Sequence, residues 1–234
     1  MQNPVYYLPL LTTIVSAYFF VEILKHWLHK PKAIYLLWWT LGVFCYGAGT
    51  FVESFVTLGG WSENLFVSWY IFGALLGGVP LAQGTVHLLF KPKFAKISSL
   101  ILISLLIILS LLVMASPIDE TKAEAHRLSG DVMVWSWIRG FTPIVNLYAF
   151  VFLVGGAIYS ARQYYKKEGS KSRFQGNVAI ALGGLLPGIG GSFTKFGHVE
   201  VLYVTELIGI ILIFWGYRTI RDNKSASVHQ AQTQ

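Results

Sequence analysis

The sequence predicts an all-α integral membrane protein, a bundle of seven transmembrane helices with the N-terminus outside and the C-terminus in the cytoplasm. Apolar stretches of about 20 residues recur along the chain, and this is the length that crosses a bilayer core of about 30 Å. Charged residues make up only 12% of the chain, whereas a soluble domain carries about 25%. The helices follow from these two observations, and the orientation follows from the placement of Lys and Arg.

Each apolar stretch is expected to be a helix, because lipid offers the backbone no hydrogen-bond partners. A β-barrel would need strands of alternating character, and no such alternation is present. The spans are expected at about 5–27, 33–58, 65–90, 97–115, 133–161, 177–194 and 201–218. Residues 1–221 are interpreted as a single transmembrane domain and residues 222–234 as a disordered cytoplasmic tail.

The basic residues are distributed unequally between the two ends of the bundle. Fourteen of the 18 Lys and Arg residues follow the first, third, fifth and seventh spans. The other end holds only Lys122, Arg127, Arg139 and Lys195. Because basic residues stay on the cytoplasmic side, this asymmetry predicts the orientation and a place in the cell membrane. It also accounts for the net charge of +7, so no nucleic-acid partner is expected.

The spans differ in character. The fourth has no charged residue and no glycine, which predicts a peripheral helix facing lipid. The connection after it begins Ser116-Pro117, a pattern that predicts a short surface helix with Ser116 as its N-cap. In the sixth span, the row expected to face the bundle is Asn177, Ala181, Gly184, Gly188, Gly191 and Lys195.

Proline and glycine interrupt several of the spans. The glycine rows indicate close packing between helices. Alternatively, Pro80, Pro143 and Pro187 with their neighbouring glycines break or bend helices around a cavity, as in carriers with a mid-membrane binding site.

Ionisable residues inside a membrane are costly, so each is a candidate for function. Glu53, Arg139 and Glu206 are expected at similar depth below the outer surface. They form either an ion-pair network that joins helix ends or the polar end of an outward-facing pocket. A proton relay is a third interpretation. The candidate pocket residues are Glu53, Arg139, Glu206, Gln83, Asn146 and Lys195.

No cofactor is expected. Retinal needs a lysine for its Schiff base, and the last span has none. Haem or metal binding by His26, His29 and His87 is not expected either, because these residues lie at the predicted headgroup boundary. No motif of a hydrolase, zinc protease or nucleotide-binding loop is present. The sequence thus points to none of these enzyme classes, and whether the protein is an enzyme is left open.

The leading hypothesis is a transporter-like or sensor-like protein that binds a small or amphipathic ligand in an outward-facing pocket. The alternatives are a membrane-embedded enzyme acting on a lipid or quinone-like substrate, with Glu206 or His87 as acid or base, and a structural subunit of a membrane complex. Membrane lipids, a partner membrane protein and a small-molecule ligand are the expected partners.

Overall fold

The protein is a bundle of seven long helices. The computed structural model describes residues 4–124, 128–167, 170–194 and 196–232, with side chains through Asp222. Within those ranges seven helices are long and apolar enough to span a membrane, which confirms the predicted fold class. They are α1 (Pro4–His29), α2 (Ile34–Gly59), α3 (Glu63–Leu89), α4 (Pro92–Ala115), α5 (Ser136–Tyr165), α6 (Lys171–Thr194) and α7 (Val199–Asp222).

Six of these helices form a closed ring, and α4 lies outside it. Around the ring α1 packs on α2, α2 on α3, α3 on α5, α5 on α6, α6 on α7 and α7 on α1. α4 packs mainly on α3 and is the least buried of the seven. Its buried residues Leu102, Leu106, Leu109 and Val113 recur every three or four positions, so a single face meets the bundle. The predicted peripheral position of the fourth span is confirmed.

α3 is interrupted near its middle. Residues Tyr70–Leu75 form a π-helical turn in which the Leu76 N–H donates to the Ile71 carbonyl at 2.9 Å. A regular helix resumes at Val79, with Pro80 in its first turn, where a missing N–H costs nothing. An interruption is thus present next to Pro80, as the alternative interpretation expects, although Pro80 itself lies in the first turn of the resumed helix. At Pro187, by contrast, α6 continues without interruption.

α6 and α7 approach closely through glycines spaced seven residues apart. A Cβ at Gly183 would lie 2.5 Å from the Gly209 carbonyl oxygen, and a Cβ at Gly176 would lie 2.7 Å from the Gly216 carbonyl oxygen. Backbones this close leave no room for any side chain, so glycine at these positions sets the distance between the two helices.

The prediction that α6 packs against the bundle through the glycines of one row is wrong for most of that row. Gly188 and Gly191 have no atom within 4 Å of an added Cβ, and only Gly184 of that row's glycines packs inward, against Leu153 of α5. The helix carries glycine on two faces, and the pattern alone does not distinguish a face that meets another helix from one that meets lipid.

The connection between α4 and α5 contains no α-helix in its described part, so the predicted surface helix is wrong. The Asp119 N–H donates to the Val132 carbonyl, and the Val134 N–H donates to the Pro117 carbonyl. Ile118 also forms an isolated β-bridge with Met133. The helical content there is limited to short 3-10 turns at Glu120–Lys122 and Gly130–Val132.

The last helix continues to Gln232, beyond its apolar part. The predicted disorder of residues 222–234 stays a prediction.

Candidate functional site: a buried pair of carboxyl groups

Four residues of α2 form a stripe that faces α3 and α7. Tyr46, Gly49, Glu53 and Thr57 follow one another at steps of three or four, so they share a helix face, and all four are buried. At Gly49 the two backbones nearly touch, since an added Cβ would lie 2.9 Å from the Gly73 Cα of α3. This contact brings the next turn of each helix together, which places Glu53 beside Trp69.

Glu53 is only 3% exposed. The indole Nε1–H of Trp69 donates a hydrogen bond of 2.8 Å to its Oε1. Glu53 lies six residues before the end of α2 at Gly59, which corresponds to a depth of about 9 Å. A carboxyl group there is inside the bundle and below the helix ends.

The carboxyl group of Glu206 on α7 contacts that of Glu53 within hydrogen-bonding distance. Glu206 is half-buried as a residue, but its Oε2 atom is fully buried. Neither Oε2 receives a hydrogen bond from a donor group among the described residues. Because a carboxylate can only accept, the two groups can hydrogen-bond to each other only if one of them carries a proton.

Two tyrosines hold α7 against α2 on either side of the pair. The Tyr46 hydroxyl donates to the backbone carbonyl of Glu206 at 2.9 Å. One turn from Glu53, the Tyr203 hydroxyl lies 3.4 Å from Thr57 Oγ1, at the limit of a hydrogen bond. The ring of Tyr6 packs edge-on against Tyr203. The carboxyl groups are thus enclosed by aromatic side chains from three elements.

No cation accompanies this pair within the described part of the chain, since neither Glu53 nor Glu206 forms an ion pair there. The opposite end of the bundle shows the usual arrangement. There Glu22 of α1 accepts a 2.7 Å bond from Arg221 of α7. A buried charge without a partner costs several kcal/mol, and adjacent like charges add to that cost. A proton or another cation is therefore needed to neutralise Glu53 and Glu206.

Comparison with known proteins does not assign the chain to a family. No protein-family model matches it, and no curated protein matches it significantly. The function is therefore argued from the residues of the site alone.

Arg139 lies away from the carboxyl pair. Its guanidinium forms a 2.5 Å ion pair with Asp131 of the connection before α5, and both side chains are substantially exposed. The expected pairing of Arg139 with Glu53 or Glu206 is therefore replaced by one with a loop residue. Among the described residues, the two carboxyl groups thus lack the cation that an ion-pair network between helix ends would supply.

Gln83 belongs to a separate network that joins α3, α4 and α5. It is fully buried, and its Nε2 lies 3.1, 3.0 and 2.8 Å from Ala95 O, Ser98 Oγ and Ser99 Oγ of α4. Its Oε1 accepts a hydrogen bond from the Tyr148 hydroxyl of α5. Every polar atom of Gln83 is thus engaged by the protein, which fits a structural junction.

The two remaining predicted pocket residues do not join the pair. Asn146 is exposed on the outer face of α5, and its side chain makes no hydrogen bond to a described residue. Lys195 lies outside the described residues. Of the six candidates, the structure brings together Glu53 and Glu206.

The two best-defined cavities among the described residues lie away from the carboxyl pair. One, of about 500 Å³, lies in the loops around Arg139 and Asp131. It also includes Asp119, whose pKa is lowered because the Thr121 hydroxyl, and then Lys122, stabilise its ionised form. The other, of about 460 Å³, is an apolar groove between α5 and α6.

The partners of the carboxyl pair were only partly visible in the sequence. Trp69 lies in the predicted third span, but nothing in its spacing identifies it as a donor to Glu53. Tyr46 and Thr57 were missed. The signal for them is their step of three to four residues from Gly49 and Glu53 on one helix face.

Proposed function

We propose that the protein is a carrier-type membrane protein that binds a small or amphipathic ligand, and that the Glu53–Glu206 pair holds a proton that is exchanged with water during its cycle. The observation that carries this proposal is the contact between two carboxyl groups in the bundle with no cation among the described residues. Intramembrane acids of this kind mark ion pathways and proton relays.

The closed geometry favours a proton over a larger cation. Neither of the two best-defined cavities includes a glutamate of the pair, and Trp69 and Tyr46 pack beside the two carboxyl groups. A metal ion or an organic ammonium group would need several further ligand atoms or a ligand-sized space. One proton between the two carboxyl groups needs no further ligand atoms and no ligand-sized space. It also gives one of the two buried Oε2 atoms a hydrogen-bond donor.

The interruption of α3 supplies a way to open this site. Trp69 immediately precedes the π-helical turn Tyr70–Leu75, and the hydrogen-bond pattern is irregular up to Val79. Broken helices of this type surround the binding sites of many carriers because the half-helices can move separately. Movement of Glu63–Trp69 would withdraw the indole from Glu53 and expose the pair to water.

The distribution of basic residues supports an opening towards the outside. The pair lies near the end of the bundle that carries the N-terminus, and the opposite end carries fourteen of the 18 Lys and Arg residues. By the positive-inside rule the carboxyl groups then exchange protons with the outer side of the membrane.

A pH-jump experiment on proteoliposomes tests the proposal. Purified protein is reconstituted in proteoliposomes adsorbed on a solid-supported membrane, and the outer pH is stepped while displaced charge is recorded. The wild type should give a transient that is absent from protein-free vesicles. Glu53→Gln and Glu206→Gln should each reduce it and the double variant should abolish it, because each substitution replaces one carboxyl group of the pair by an amide that cannot take up a proton.

Glu63→Gln is the matched control, since Glu63 is exposed at the start of α3; it should leave the transient unchanged. If both buried variants folded normally and still displaced charge as the wild type does, the proposal would be refuted.

A second candidate role, as a subunit of a membrane complex, is favoured by Asn146. This amide is exposed near the middle of α5, ten residues from Ser136. A polar side chain facing lipid is unfavourable, whereas Asn hydrogen-bonds readily across a helix–helix contact. Asn146→Leu should dissociate any oligomer seen by light scattering in mild detergent. An unchanged mass would exclude this residue from such a contact.

A further inference from the structure

The apolar groove between α5 and α6 is bounded by two contacts. Towards the membrane centre the helices meet where Gly184 approaches Leu153, with an added Cβ 3.1 Å from Leu153 Cδ2. Near the ends of the helices, the rings of Tyr165 and Phe174 pack at 5.3 Å between centroids. Between these contacts small residues such as Ala161 and Ala181 line the groove, so the helices leave a gap of about 460 Å³.

The groove has the length and depth of a lipid chain in one leaflet. On α5 it runs from Val154 to Lys166, a rise of about 18 Å. Half of the hydrocarbon core measures about 15 Å. The groove therefore reaches from near the membrane centre to headgroup level. Its wall is almost entirely apolar until its last turns, where Arg162 and Lys166 are reached.

Arg162 lies in the last turn of α5, Lys166 directly follows the helix, and both are exposed. Neither forms an ion pair with a carboxylate among the described residues. Arg173 of α6 adds a third cation nearby and stacks on Tyr164 at 5.4 Å. Two cations that pair with no described carboxylate, at the headgroup end of an apolar groove, are complementary to a phosphate with an attached acyl chain.

We infer that this groove is a binding site for an anionic phospholipid of the bilayer, with its acyl chain between α5 and α6 and its phosphate at Arg162 and Lys166. A zwitterionic lipid would fill the apolar part equally well. It would gain less from the two cations, because its own positive group offsets the phosphate. The site is independent of the carboxyl pair, which lies near the other end of the bundle.

Binding is measured on purified full-length protein by native mass spectrometry, with phosphatidylglycerol and phosphatidylcholine of identical acyl chains. The wild type should retain phosphatidylglycerol in preference. Arg162→Gln with Lys166→Gln should weaken its binding by roughly 30-fold and remove the preference. Lys91→Gln with Lys93→Gln is the matched control. It removes two exposed lysines from the same end of the bundle and should leave the preference intact.

A second variant tests the apolar part of the site. Val178 lines the groove from α6 and is half-buried, so Val178→Trp should fill the gap and reduce phosphatidylglycerol binding while both cations remain. A wild type that does not discriminate between the two lipids would overturn the inference, whatever the variants do. Equal losses in the Arg162/Lys166 and Lys91/Lys93 variants would also overturn it, because general surface charge would then explain binding.

Discussion

The indole of Trp69 donates a 2.8 Å hydrogen bond to Oε1 of Glu53, across the contact between α3 and α2. This bond gives one carboxylate oxygen a donor, whereas the other oxygen is buried and has none among the described residues. The direction of the Glu53 side chain, and therefore its contact with the second glutamate, depends on Trp69.

We expect infrared spectroscopy to detect the proton between Glu53 and Glu206 directly. A carboxylic acid C=O band should be present near neutral pH in the wild type. It should shift in frequency in Glu53→Gln and in Glu206→Gln, because the remaining buried carboxyl group keeps its proton but now contacts an amide, and it should disappear in the double variant. Glu63→Gln should keep the band. Wild-type spectra with carboxylate bands alone would contradict a shared proton.

Removal of the indole donor should destabilise the bundle. Trp69→Phe keeps an aromatic ring but leaves Glu53 Oε1 without its donor, which we expect to cost about 1–3 kcal/mol. Trp61→Phe is a suitable comparison, because the Trp61 Nε1 is buried and has no partner among the described residues. That substitution should cost little. The free energy of unfolding of both variants is measured in mild detergent by circular dichroism. Equal losses of stability would mean that the hydrogen bond of Trp69 to Glu53 does not stabilise the bundle.

The closeness of α6 and α7 should be sensitive to a single methyl group. Gly183→Ala introduces a Cβ 2.5 Å from the Gly209 carbonyl oxygen, so the helices must separate, at a cost of about 1–3 kcal/mol. Gly188→Ala meets no atom within 4 Å and should be neutral or slightly stabilising, since alanine favours a helix. The thermal unfolding midpoint distinguishes the two, and a neutral Gly183→Ala would show that this contact can relax.

The attachment of α4 should depend on Gln83. Gln83→Leu removes the amide that lies within 3.1 Å of three oxygens on α4, so hydrogen exchange in the first turns of α4 should accelerate. Tyr159→Phe changes an exposed hydroxyl and should leave that exchange as in the wild type. Unchanged protection of α4 in Gln83→Leu would mean that apolar packing alone holds the helix.

Loss of the Arg139–Asp131 ion pair should have a small effect. Arg139→Gln breaks a bond between side chains that are 40% and 60% exposed, and exposed pairs contribute about 0–1 kcal/mol. The thermal midpoint should therefore fall by less than it does for Trp69→Phe. A larger fall would indicate that Arg139 anchors the connection before α5 in a way the ion pair does not explain.

The sequence predicts the helices of this bundle well, because apolar length is a local property. The peripheral position of the fourth span was also predictable, from its composition. The break in α3 was only one of two interpretations, and a proline does not decide between them, since Pro187 leaves α6 uninterrupted. The packing face of α6 was not predictable, because Gly183 and Gly188 look alike until a neighbouring helix is present.

The candidate site was predictable in part for a similar reason. Glu53 and Glu206 stand out as acids within apolar spans, whereas their mutual contact depends on the approach of Gly49 to Gly73. The partner of Arg139 lies in an irregular connection, where periodicity carries no information. Asp131 was therefore not identified.

The interruption of α3 divides the functions of that helix between two segments. Trp69, which orients Glu53, lies before the irregular turn, and Gln83, which holds α4, lies after it. A rotation of the first segment can therefore be absorbed by residues 70–78 without disturbing the junction with α4 and α5. In the proposed cycle, the opening of the carboxyl pair therefore need not loosen the attachment of α4 to the ring.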